Sequence, residues 1–178
     1  MVAKSPALNM SLYEILDVVQ GNTFRAAFLS LLIYSLYFAR RDSFTITLCL
    51  MCILSMIHMV LDSLMLSWSD SGYDKLVMHT WYLFFAATDF AFVFCAFGLV
   101  DRYRIPMQKA STLIVMAFLV MGFIQVARYA DRIVIKSDVL GSFYAASIPA
   151  INSCVTVAIL VYSIGAVWMH RSNKTKEK

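Results

Sequence analysis

The chain is poor in what a water-soluble domain relies on. Charged residues make up 15% of it, glycine occurs six times and proline three times, against 61% hydrophobic residues and a mean hydropathy of +0.73. So little charge does not cover the surface of a soluble domain, and no loop is long enough to hold one, so the chain reads as a single membrane domain over residues 1–178. The motifs G-x-x-x-x-G-K, H-E-x-x-H and G-x-S-x-G are missing, so no catalytic motif marks an enzyme and no catalytic residue is assigned. No folded basic surface is available for nucleic acid. The first twenty residues contain Glu14 and Asp17 and lack the short apolar run of a cleaved leader, so the first span is expected to be retained.

Cysteine is also sparse and placed away from loops. Cys49, Cys52, Cys95 and Cys154 all fall in apolar segments, which speaks against a disulfide framework. Cys49 and Cys52 form a C-x-x-C, but inside an unbroken apolar run with no neighbouring base to stabilise a thiolate, so packing is the expected role.

What the chain does have is long apolar runs. About 20 helical residues at 1.5 Å each cover the ~30 Å hydrocarbon core. Runs of that order occupy about 23–39, 43–66, 76–100, 110–127 and 143–167, the first at the short end of the range. The expected fold is an all-α integral membrane protein, a bundle of five transmembrane helices preceded by a short amphipathic interfacial helix at 11–20. That helix is signalled by the Ser11/Glu14 capping box, by the stripe Leu12, Ile15, Leu16, Val19, and by Gly21 at its end. The first two spans are joined so tightly that they form an antiparallel hairpin. A loop with its turn at Gly72 is expected from Ser67 to Lys75, Pro106 bars helix in the next connection, Pro149 is expected to kink the fifth span, and 168–178 reads as a mobile basic cytoplasmic tail.

The third span organises the rest, because it carries Asp89 near its middle. At 100° per residue, Tyr82, Ala86, Asp89, Val93 and Ala96 share one face, while Ala87, Ala91, Cys95 and Gly98 form a small-residue ridge opposite. A second ridge runs along the fifth span through Ser142, Ala146, Ala150, Cys154 and Ala158. Such ridges let helix backbones approach closely, which points to self-association into a homo-oligomer. Basic residues concentrate at Arg40-Arg41, at Arg102, Arg104 and Lys109, and in the tail, so these are expected on the cytoplasmic side of a bacterial inner membrane, with the N-terminus outside. There they would contact anionic lipid or dock a cytosolic or membrane protein partner.

Counting depth from the outer ends of the spans, His58 and Asn152 lie at a similar level, Asp62, His79, Gln125 and Arg128 lie nearer the surface, and Asp89 lies deepest. The inner half reads as nearly pure hydrocarbon. Polar groups in membrane spans usually face the bundle interior or a water-filled cavity, so one reading is an outward-open vestibule that binds a cation or relays protons. The plainer reading is a set of satisfied hydrogen bonds with an Asp62–Arg128 ion pair and Asn152 as packing glue. His58 and Asp62 with His79 would suit zinc or iron, and the two histidines a haem, but no second motif supports either, so no metal or cofactor is expected. The function expected first is a non-enzymatic membrane subunit that oligomerises and works with a partner as sensor or anchor, in a setting such as stress, secretion or phage defence. A small oligomeric ion channel or transporter built on Asp89 comes second, and an intramembrane metal or haem protein third.

Overall fold

The computed structural model describes residues 22–38, 42–70 and 72–176. They form five helices and, among the described residues, no strand: α1 (Thr23–Tyr37), α2 (Ser43–Asp70), α3 (Asp74–Arg102), α4 (Lys109–Tyr129, continued by a π-helical turn over Ala130–Val134) and α5 (Gly141–Lys176). The protein is an all-α membrane protein. Four of the helices, α2 to α5, are long and apolar enough to cross a bilayer. The fifth, α1, has 15 residues and a length of ~22 Å, short of the ~30 Å core. The expected interfacial helix at 11–20 lies outside the described residues.

Helices α2 to α5 run past their expected ends, whereas α1 stops at Tyr37, short of the expected 39. Helix α2 continues through Trp68 to Asp70, because nothing between Leu66 and Asp70 breaks it, and the turn waits for Gly72, whose φ of +83° suits glycine. Helix α5 likewise passes through Pro149, where one backbone hydrogen bond is lost, and extends to Lys176, so most of the expected mobile tail is helical. No glycine or proline follows Gly165 to stop it. Helix α3 ends by a different device. The Ile105 N–H donates to the Val100 carbonyl and the Arg104 N–H to that of Asp101, with Arg104 itself left-handed at φ +52°, which is the Schellman arrangement.

The five helices close into a ring. Helix α1 packs on α2 and α5, α2 on α3, α3 on α4 and α4 on α5, with α2 also meeting α4 across the middle. Close approach of α3 and α4 depends on Gly122, where a Cβ would come within 3.0 Å of the Phe90 ring. The tightest part of the core lies toward the end of the bundle that carries Asp42. There Phe44, Leu48, Ile114 and Ile159 are wholly buried.

Helix α1 fills only part of the ring's height, and this shapes the site. The Thr23 hydroxyl meets that of Thr156 at 2.8 Å, and Phe38 stacks on His170 with ring centroids 5.2 Å apart. Helix α1 therefore runs parallel to α5 and starts level with Thr156, ~22 Å along the helix axis from Gly141. Beyond that level, among the described residues, no helix stands between α2 and α5.

Candidate functional site

The two faces foreseen for the third span are both present on α3. Tyr82, Ala86, Asp89, Val93 and Ala96 are all buried, Asp89 at 3% exposure, whereas Ala87, Ala91, Cys95 and Gly98 are exposed on the opposite side. Asp89 sits ~22 Å from the start of the helix and ~20 Å from its end, close to mid-membrane. It opens onto a cavity of about 390 Å³ that also takes in His58, Asp62, Gln125 and Asn152. Thr23 and Phe24, at the start of the short helix, line it too, and Trp81, Phe85, Phe118, Met121 and Tyr144 supply most of its apolar wall.

The register between α2 and α3 is set by His58, whose Nε2 lies 2.8 Å from the Thr88 hydroxyl, with its ring against Phe85 at 4.5 Å. The Thr88 hydroxyl also lies 3.0 Å from the carbonyls of Phe84 and Phe85. With its single proton donated there, Thr88 accepts from His58, which places the ring proton on Nε2. From this shared level, Asp62 lies one turn toward the mouth and Asp89 one residue deeper, so the Cα positions of the two acids are offset by about 7.5 Å along the helix axes. Gln125 is held from α5, where the Tyr144 hydroxyl donates to its Oε1 at 2.9 Å. Neither acid is neutralised in this way. Asp89 makes no hydrogen bond or ion pair among the described residues, and the Oδ1 atom of Asp62 is buried without a partner. No lysine or arginine lines the cavity.

Two members of the polar set are drawn elsewhere. His79 Nδ1 lies 3.2 Å from the Tyr129 hydroxyl. Arg128 is clasped between Asp131 at 2.6 Å and Asp138 at 2.5 Å, while Asp131 also accepts from the Ser137 hydroxyl and from the Leu140 N–H at 3.1 Å. The Asp62–Arg128 ion pair weighed from the sequence does not form, because acids on the end of α4 and in the following loop reach the guanidinium first. Arg128 pairs instead with Asp131, three residues along the same helix. His58, Asp62 and His79 do not converge either, and among the described residues no three metal-ligating side chains come together.

A second polar network closes the opposite end of the bundle, at the ends of the apolar spans and beyond the buried apolar residues Phe44, Leu48, Ile114 and Ile159. Asp42 caps α2 by accepting the Thr45 N–H at 2.8 Å, and it also accepts from the Tyr34 hydroxyl at 2.6 Å and from the Gln108 side-chain amide at 3.3 Å. The Tyr162 hydroxyl donates to Gln108 Oε1 at 2.8 Å, and the Gln108 N–H and the Ser111 hydroxyl both reach the Ser43 hydroxyl. Four helices are tied together at this end. An aspartate directly before an apolar run is an N-cap signal, and it was the one mark of this network in the sequence.

On the outer surface of the bundle, Ala146 and Cys154 are exposed and Ala150 is half-buried, and Arg102, Arg104 and Lys109 are exposed at the Asp42 end. These features define a polytopic α-helical membrane protein with a polar cavity in one half and a packed, hydrogen-bonded plug in the other. Comparison with protein-family models, with curated proteins and with solved structures returns no match to this chain.

Proposed function

We propose that this is a non-enzymatic membrane subunit that senses a small ligand in the vestibule and passes the signal through copies of itself and a partner protein. The observation that carries the reading is the packing on the far side of Asp89. There the buried Phe118, Ile114, Leu48 and Phe44 lie between the vestibule and the Asp42 network, which supports a site that a ligand occupies without, among the described residues, a path onward. The concentration of basic residues at the Asp42 end supports an orientation with the mouth outside and Arg102, Arg104 and Lys109 in the cytoplasm, where an acidic partner surface or anionic lipid would meet them. The exposed Ala87, Ala91, Cys95 and Gly98 ridge suits a second copy of the chain.

The channel reading is less well supported by the same geometry. Asp89 faces into its own bundle, away from the ridge on which copies would meet, so a path between copies would not have this carboxylate on its wall. The reading is tested in liposomes. Reconstituted protein is expected to show no proton or cation flux above empty vesicles, and Asp89→Asn is expected to leave that baseline unchanged, while a chain retaining Cys95 as its one cysteine cross-links to dimer under mild oxidation. A flux that Asp89→Asn abolishes would overturn the sensor reading in favour of the channel, and a strictly monomeric chain would remove the self-association.

A further inference from the structure

The chemistry of the ligand follows from the two unneutralised acids. An acid held inside a membrane protein takes up a proton or a counter-charge, and a cationic ligand supplies the second. Asp89 is 3% exposed and lines the cavity without a partner among the described residues, and the buried Asp62 Oδ1 is equally without one. Among the described residues, Arg128 is committed to Asp131 and Asp138, and Arg132 reaches the Tyr82 hydroxyl. Resting on the reading of the vestibule as a blind binding site, we infer that it takes a linear organic diamine, with one ammonium on Asp89 and the other on Asp62.

Three features select this class. A bare hard cation is a poor fit, because calcium seeks six to eight oxygen ligands and the two carboxylates stand at different depths. The ring faces of Trp81, Phe85 and Phe118 attract an alkylammonium by cation–π interaction, while Met121 is a pliable apolar surface for methylenes. The offset of about 7.5 Å between the Cα positions of the acids puts the two side chains at different levels on different helices and suits a polymethylene chain lying between them. The volume, about 390 Å³, falls within the range of small-molecule sites.

Isothermal titration of the full chain in nanodiscs with cadaverine, and with n-pentylamine as its one-ended counterpart, tests this. Cadaverine is expected to bind and pentylamine to bind more weakly. Asp89→Asn should weaken cadaverine about 30-fold or more, the loss typical of a buried charge pair. Asp62→Asn, nearer the mouth, should weaken it about 5-fold and erase its advantage over pentylamine. Phe94→Leu, on the exposed outer surface of α3, should bind as the parent does, and circular dichroism and gel filtration report whether each variant is folded. Absence of cadaverine binding to the parent chain, or equal binding of the two amines, overturns the inference without any variant. So does a folded Asp89→Asn that binds normally. Failure of amine binding with vesicles still tight leaves the sensor reading standing, whereas amine binding accompanied by Asp89-dependent amine flux keeps the site and removes the blind-ended sensor.

Discussion

Replacing Arg128 with methionine should destabilise the bundle by about 3–5 kcal/mol, the usual loss when one member of a buried ion pair is removed. Arg128 and Asp131 are each 5% exposed, and Arg128 joins the end of α4 to the loop that leads into α5 through Asp138. Methionine fills much of the same space but leaves the Asp131 carboxylate with only the Ser137 hydroxyl and the Leu140 N–H. The loss is read as a shift in reversible unfolding in mixed micelles. Replacing Asp131 as well, with leucine, should recover much of it, because the stranded charge rather than the missing attraction carries most of the penalty. Gly141 belongs to the same clasp, since a Cβ there would lie 2.8 Å from the Asp138 carboxylate.

The second large effect is expected at the other end of the molecule. Asp42→Ala removes the cap of α2, worth about 1 kcal/mol, and strands the Tyr34 hydroxyl and the Gln108 amide, each costing about 1–3 kcal/mol where it stays buried. Tyr34 is 4% exposed and has little access to water. With Gln108 half-buried and able to turn to water, the cap and the Tyr34 hydroxyl set a total loss of roughly 2–4 kcal/mol in the same unfolding assay. Asp42→Asn should lose less, because its side-chain oxygen still accepts the Thr45 N–H. The effect should fall mainly on α1, which is too short to be held by the bilayer alone, so proteolysis in the α1–α2 connection should rise before global unfolding does.

The parts of the molecule that were legible in the sequence are those in which periodicity decides the outcome. The buried and exposed faces of α3 follow from 100° per residue alone, so Asp89 and the Ala87–Gly98 ridge could be placed on opposite sides in advance. Depth could be counted along each helix, which brought His58, Asp62, Gln125 and Asn152 to the same half of the membrane as Asp89. Azimuth could not be counted. For that reason a count of depth pairs Arg128 with Asp62 on another helix although Asp131 and Asp138 hold it, and groups His79 with His58 although it turns to Tyr129. The Asp42 network escaped notice because Ser43, Gln108, Ser111 and Tyr162 are ordinary residues on three helices that only tertiary packing assembles. The low start of α1 escaped for a related reason. Residues 23–39 read as a short span, and only the Thr23–Thr156 and Phe38–His170 contacts reveal which half of α5 it accompanies.

Whether the face of α3 that carries Asp89 looks into a water-accessible cavity is decided most directly by thiol accessibility. In a chain whose four native cysteines are replaced by alanine, Ser55→Cys and Asn152→Cys should be modified by a charged, membrane-impermeant thiosulfonate added on the vestibule side, because a thiolate forms only where water reaches it. Ala87→Cys and Ala91→Cys, on the opposite ridge, should stay unmodified under the same treatment. Labelling of the ridge positions with Ser55→Cys and Asn152→Cys protected would put Asp89 against lipid and contradict the vestibule.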